Sequence, residues 1–426
     1  MIENRVVITG LGVCAPNGTT VSDFTRAIKN GISGVRHHPE LERLGFSCQI
    51  AAAPDMEESR VQQYFTPLEM KGLDSTGIVY GVVAGLDAWK DAGLQPSDRN
   101  EPDWESGTIY GTGTSGIDKF RWAINKIDEL QIRKLGSTVV AQTMASGVSA
   151  FISGKLGMGN WVTTNSSACA TGTESILMAF EHIKAGKAKR MLAGSTSDSG
   201  PYIWGGFDAM KVCTFKHNDQ PEKGSRPMSA TASGFVPGSG AGAMVLESLE
   251  SAVARGAKIY AEIIGGHSNS GGQRGLGTMT APNPQAVQRC IVKAVESAGI
   301  GSDEIEVING HLTATAKDAL EIENWKAALG CSADRFPYIN SLKGMVGHCI
   351  SAAGSIECVA SVLQLHEGFI FPNVNCEDLN PEISALIEKN RVPVKLINKR
   401  FNVLAKASFG FGDVNACIIL KRFENG

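Results

Sequence analysis

Short apolar runs bounded by glycine or polar residues alternate along the chain with longer segments whose apolar positions return every three or four residues. The runs "RVVIT" (Arg5 to Thr9), "GTIYG" (Gly107 to Gly111), "GAMVLES" (Gly242 to Ser248), "IEVING" (Ile305 to Gly310) and "NACIIL" (Asn415 to Leu420) read as strands. The amphipathic segments between them read as helices, and the alternation predicts a layered α/β body. The pattern also echoes itself. A helix ending "DAGLQPSD" (Asp91 to Asp98) leads to "GTIYG", and another ending "SAGIGSDE" (Ser297 to Glu304) leads to "EVING". The echo suggests a duplicated unit that divides near Arg255, into residues 1–255 and 256–426.

Composition narrows the class of function. The 426 residues carry 40 basic and 43 acidic side chains, a net charge of -3, so nothing global draws the chain to nucleic acid or to an anionic membrane. Ten cysteines without a C-x-x-C pair fit reduced thiols better than a disulfide framework. The start, "MIENRVVITGLG", has an acid among its first residues and no later run is long enough to cross a bilayer, so the expectation is a cytoplasmic, unexported protein. With 49 glycines, 16 prolines and no low-complexity stretch, the chain reads as continuously folded.

Several motifs point away from cofactors and metals. "GLGVCA" (Gly10 to Ala15) matches a dinucleotide-binding pattern, but Pro16 to Gly18 follow at once and forbid the helix whose N-terminus would hold a pyrophosphate. "GTGTSG" (Gly111 to Gly116) opens into a helix, yet no acid-tipped strand follows at the distance that grips a ribose. The eight histidines offer no H-E-x-x-H spacing, and no metal site is expected.

One stretch does carry chemistry. In "TTNSSACATGTESILMAFEHIKAG" (Thr163 to Gly186) a strand and turn pass into a helix that begins at Cys169, with Ile176, Leu177, Phe180 and Ile183 at helical spacing. A helix N-terminus favours thiolate over thiol, and the small neighbours Ala168, Ala170, Thr171 and Gly172 leave room for a substrate. A small core residue at a helix–sheet junction is the competing reading. A nucleophilic cysteine needs a histidine from elsewhere, and two follow strand ends: His311 after "EVING", and His348 in "NSLKGMVGHCISAAG".

Taken in order, "RVVITGLGVCAPNG", "SACATG", "GGFDAMKVCTFKHND", "GFVPGSGAG", "NGHLTAT", "NSLKGMVGHCISAAG" and "SFGFGDVNA" resemble the thiolase-fold β-ketoacyl-acyl-carrier-protein synthases, the elongating type I and II condensing enzymes. The resemblance runs along nearly the whole chain. It implies a duplicated five-layered α-β-α-β-α fold, with the nucleophile in residues 1–255 and both histidines and a gate loop in 256–426. Cys169 would take an acyl chain from a carrier-protein thioester, and His311 and His348 would stabilise the enolate formed when a malonyl thioester loses carbon dioxide. The N–H groups of Cys169 and Phe411 would form an oxyanion hole, within a gate loop of Gly410, Phe411, Gly412 and Asp413. Lys343 and Glu321 match a supporting pair near the histidines, and Thr313 and Thr315 match hydroxyls that bind the phosphopantetheine arm. No cofactor is bound on this reading; the pantetheine arrives on the acyl-carrier protein. Lys71, Lys211 and Lys216 fall in segments resembling the pocket entrance where an acidic carrier would dock. The family is usually a cytosolic homodimer.

Departures from the family's pattern bear on the substrate. "HLTATA" has Leu312 where the family has glycine, the loop "NSGGQRGLGT" from Asn269 lacks its common acid, and Asp413 replaces the last glycine of "GFGG". A fatty-acid, aryl polyene or polyketide chain all remain open as the product. So do a non-catalytic chain-length-determining partner in a ketosynthase heterodimer, against which the retained Cys169 argues, and a thiolase or cysteine hydrolase.

Overall fold

Alternation of side chains across a strand lets one sheet bury both faces, and here nearly every strand position is buried. The computed structural model describes residues 4–98 and 100–424. The opening residues 1–3, used above to argue against export, lie outside that range. Ten strands form the main sheet: β1 (Val6–Cys14), β2 (Ser106–Thr112), β3 (Val162–Thr163), β4 (Arg190–Ser197), β5 (Gly240–Ser248), β6 (Ala261–Ser270), β7 (Val307–Asn309), β8 (Tyr338–Asn340), β9 (Val403–Gly410) and β10 (Val414–Arg422). Their order is β8-β7-β9-β10-β6-β1-β5-β4-β2-β3. The first five and the last five follow one scheme: third, second, fourth, fifth, first, with the fifth strand antiparallel to the fourth and the first. Short antiparallel pairing of Val6 to Ile8 with Ala261 to Ile263 joins the halves.

Seven helices matter for the site: α1 (Thr76–Asp91), α2 (Ile117–Asp128), α3 (Gly147–Leu156), α4 (Thr171–Lys184), α5 (Pro284–Ala298), α6 (Asp318–Leu329) and α7 (Ala353–Glu367). On β5, Met244 and Leu246 enter the core around α4 and α7, while Ala243 and Val245 enter the core under α1 and α3. On β10, Ile418 and Leu420 face the same central core, while Cys417 and Ile419 face α5 and α6. The layers are therefore α1 and α3, a sheet, α4 and α7, a sheet, α5 and α6: the thiolase-like duplicated five-layered fold. α1 and α5, the helices of the sequence echo, occupy equivalent places between the first and second strands of their halves.

The misleading glycine motifs have structural explanations. Gly10 and Gly12 lie inside β1 where it presses on α1, and a Cβ on Gly12 would come within 1.9 Å of the Ala84 carbonyl oxygen. The N-terminus of α2, after "GTGTSG", is filled by the Asp198 carboxylate, which accepts the Gly116 N–H at 2.6 Å. No helix among the described residues is long and apolar enough to cross a membrane.

Candidate active site

From β3 the chain reaches Cys169 in one tight turn, Ala168–Ala170, ahead of α4. The Thr171 hydroxyl closes that turn: it accepts the Ser167 N–H at 2.8 Å and donates to the Ala168 carbonyl at 2.6 Å. The regular helix thus begins at Thr171 rather than at Cys169, as the sequence pattern suggested. The small neighbours also serve another purpose than substrate access. Ala170, Thr171 and Gly172 are buried, and a Cβ on Gly172 would sit 2.3 Å from the Ser355 nitrogen of α7. A Cβ on Gly354 would sit 2.6 Å from the Thr173 nitrogen of α4. These glycines let α4 and α7 cross backbone to backbone, which brings the His348 segment, just before α7, beside Cys169.

His311 ends the β7 segment, and its ring meets that of His348 edge-on at 5.5 Å between centroids. The Cys169 sulfur and one nitrogen of each ring all lie within 4.8 Å of one another. The Ile350 N–H donates to His348 Nδ1 at 3.1 Å, which leaves the proton of the neutral ring on Nε2. Lys343 Nζ lies 3.5 Å from His311 Nδ1 and has the same effect on that ring. Burial, then the Lys343 charge, hold both imidazoles well below their ordinary pKa. The site therefore carries two neutral rings able to donate through Nε2–H.

The thiol behaves otherwise than the helix terminus suggested. Burial pushes Cys169 up to about 11, although Lys343 and the Phe411 N–H pull the other way. Burial outweighs the helix end because the sulfur sits in a tight turn, 7% exposed, under Phe411 and the histidines. The rate of Cys169 alkylation by iodoacetamide, followed by intact mass, will rise about tenfold per pH unit through the neutral range. A plateau near neutrality would contradict this.

Lys343 does not pair with Glu321. Its ammonium donates to the His311 carbonyl at 2.6 Å and forms a buried ion pair with Glu357 on α7. Glu321, at the start of α6, instead accepts the His311 and Leu312 N–H groups, each at 2.7 Å, and burial raises it to about 7. It clamps the backbone that presents His311. Leu312 fits there because its side chain packs into the core under α6, while the left-handed turn position is Ala314, φ 61°. Asp318 holds the same turn through the Thr313 and Ala314 N–H groups at 2.9 and 3.1 Å. Asp318, Glu357 and Lys406 escaped the sequence reading; Glu357 and Lys406 are each an isolated charge within an apolar stretch, the signal that would have found them, whereas Asp318 follows Lys317 in a polar run and carries no such signal.

A cavity of about 410 Å³ opens over these groups, lined by Cys169, His311, His348, Thr313, Thr315 and Phe411 among others. The Thr313 and Thr315 hydroxyls lie 3.1 Å apart. The Phe411 ring rests against Phe207, 6.2 Å between centroids. Gly410 backs onto the Cys169 turn, and Gly412 donates its N–H to the Met279 carbonyl at 2.8 Å. Asp413 is wholly buried with φ 63°, a left-handed conformation that aspartate tolerates better than most residues. Its carboxylate makes no local turn bond. It accepts the Gln273 and Asn283 N–H groups at 3.0 and 2.8 Å, so the glycine-rich loop that lacks an acid receives one from the gate.

Lys211 is exposed between Met210 and Val212, which line the cavity, and Lys216 is exposed further along the same segment. Lys71 is exposed but does not line the cavity, whereas Lys317 lines it and went unread in the sequence. Cys169, His311 and His348 are also the group of metal-type donors that converges among the described residues. The Lys343 ammonium beside that group suits neutral donors better than a dication.

Residues 3–252 match the family described as "Beta-ketoacyl synthase, N-terminal domain", and residues 260–377 match "Beta-ketoacyl synthase, C-terminal domain". The chain is 32% identical to a 3-oxoacyl-[acyl-carrier-protein] synthase 2 of Vibrio cholerae over 426 residues, covering 99% of this chain and 100% of that one. A β-ketoacyl synthase from Burkholderia phymatum superposes with a TM-score of 0.88 at 28% identity, over 99% of this chain and 100% of that one. A type II PKS acyl-carrier protein in complex with its ketosynthase, bound to the hexaketide, superposes with a TM-score of 0.87 at 28% identity, over 99% and 100% of the two chains.

Proposed function

The chain belongs to the β-ketoacyl synthase family, and from that premise we propose that Cys169, His311 and His348 carry out a decarboxylative Claisen condensation. The observation that supports this reading most is the convergence of one sulfur and a nitrogen from each of two imidazole rings within 4.8 Å in an open cavity. The Cys169 thiol gives up its proton as its sulfur attacks the acyl thioester of a carrier protein. The N–H groups of Cys169 and Phe411 hold the oxyanion, and the pantetheine thiol leaves with a proton. A malonyl thioester then enters with its carbonyl oxygen between His311 and His348. Carbon dioxide departs, the electron pair of the broken bond forms the enolate, and the two Nε2–H groups stabilise its charge. The enolate carbon attacks the Cys169 thioester, and collapse releases the extended β-ketoacyl chain and the cysteine sulfur. Lys343 and Glu321 hold the histidines, and Thr313 and Thr315 bond the phosphopantetheine arm, which the carrier supplies.

The same reading assigns the nucleophile to residues 1–255 and the histidines and gate to 256–426, in keeping with the repeated strand order. It makes the protein a cytoplasmic homodimer: Phe120, Ile124 and Ile127 form an exposed apolar stripe on α2, and β3 offers an unpaired sheet edge beside the exposed Trp161. Lys211 beside the cavity, Lys216 further along the same segment and Lys71 are the docking residues that this reading assigns to an acidic carrier.

Mass spectrometry of carrier-bound products, with malonyl carrier and a panel of acyl starters, tests the function. Extension by two carbons is the expected result; free acid without extension would point to a hydrolase instead. The gate has its own test. Asp413→Gly frees the Gln273 and Asn283 N–H groups, so it will shift the relative rates for long or conjugated starters while leaving alkylation of Cys169 by a small reagent nearly unchanged. An unaltered starter profile would remove Asp413 from the gating role.

A further inference from the structure

Strand alternation on β9 sends Val403, Ala405 and Ala407 into the core under α5 and α6, and Leu404 into the central core. Lys406 shares the central side with Leu404 and is wholly buried. A buried ammonium persists only when paired. Lys406 Nζ lies 2.8 Å from Glu357 Oε2, an ion contact off hydrogen-bond alignment, and donates to the Ala407 carbonyl and, at 3.0 Å, to the Ser408 hydroxyl. Glu357 Oε1 already holds Lys343, which reaches His311. Two ammonium groups thus share one carboxylate behind the histidines. The Ser408 hydroxyl in turn bonds Thr173 of α4 at 2.9 Å, so the strand that ends in the gate is tied to the helix that follows Cys169.

We propose that Lys406 is a positioning residue for the condensation: by sharing Glu357 it leaves Lys343 incompletely neutralised beside His311, and through Ser408 it fixes the gate strand to the nucleophile's helix. The inference rests on the reading of His311 and His348 as the groups that stabilise the enolate. The groups facing the two rings are Cys169, Lys343, the rings themselves, and Glu321 and Asp318 across the His311 to Ala314 backbone, with Glu357 and Lys406 behind Lys343. The neighbours of Lys406 on its far side, Cys358 and Cys417, are thiols that burial keeps protonated. Within the Lys343, Glu357 and Lys406 group the one positive charge left unmatched therefore comes from Lys406, and it acts on both imidazoles in the direction that keeps them neutral.

Lys406→Met removes the excess charge, and Lys406→Met with Glu357→Gln restores it. In Lys406→Met the acid limb of malonyl-thioester decarboxylation should rise by about one pH unit, and the titration of His311 and His348 followed by histidine NMR should rise with it. The rate at neutral pH should fall about tenfold. The double variant should return both pH profiles towards wild type. A single variant that folds with unshifted profiles, or a double variant that keeps the single variant's profile, overturns the proposal and leaves Lys406 a packing residue. Should Lys406→Met fail to fold, Lys406→Arg, which keeps the charge, must show the wild-type profile, and a displaced one overturns the proposal. A wild-type protein that extends no acyl chain would sink the functional reading, while the NMR titrations would still judge Lys406.

Discussion

Cys169→Ala protein will fold and accept no acyl group. When it is incubated with acyl-carrier thioester, its intact mass should stay that of the apoprotein, and condensation should fall by about four orders of magnitude or to background. The expectation that it folds rests on size. Replacing a thiol by a methyl hydrogen at one position in a tight turn costs about 1 kcal/mol, and the Thr171 hydroxyl, not the cysteine, closes the turn. The thermal melt should therefore move by only a few degrees, about what such a loss produces in a chain of this size. An acyl adduct on the variant would mean that another of the ten cysteines is the nucleophile. The other buried thiols make poor candidates: Cys14, Cys349 and Cys417 are pushed further up than Cys169, and none lines the cavity.

The second large effect is selective. His311→Ala and His348→Ala should each slow malonyl decarboxylation by about 10² to 10³-fold, while acyl loading of Cys169 changes less than about tenfold. The reason is where charge appears. On the proposed mechanism, the oxyanion of the loading step is held by backbone N–H groups that neither substitution removes. During decarboxylation on the proposed mechanism, a full negative charge develops on the oxygen set between the two imidazoles. His348→Gln should recover part of the loss, because its amide N–H falls near the place of Nε2–H. Single-turnover measurements of carbon dioxide release and of acyl transfer, run separately, separate the steps. Loss of loading with decarboxylation intact would reverse the assigned roles.

Much of the site was legible along the chain because its local signals are short-ranged. Cys169 lies between a turn and a helix, and His311 and His348 each follow a strand end, all places that backbone periodicity marks without knowledge of the rest of the fold. A layered α/β body and its duplication followed from alternating strand and helix patterns and from their echo in the two halves, while the five layers were what the family resemblance implied. Boundaries slipped where side chains intervened, as at Thr171, whose hydroxyl closes a turn that the apolar spacing absorbed into the helix.

What the chain's own pattern determined, then, is the set of elements, their repetition and the strand-end and helix-start positions of three candidate side chains, Cys169, His311 and His348, because hydrophobic period and turn chemistry act over a few residues. Tertiary structure alone decided the electrostatics. Which acid holds Lys343, whether the Cys169 thiol titrates up or down, what the Asp413 carboxylate binds, and why a lysine lies buried on β9 all depend on segments distant in sequence. Charge interactions are set by separation in space and by burial, and only the crossing of α4 over α7 and the docking of the gate on the 271–283 loop fix those quantities.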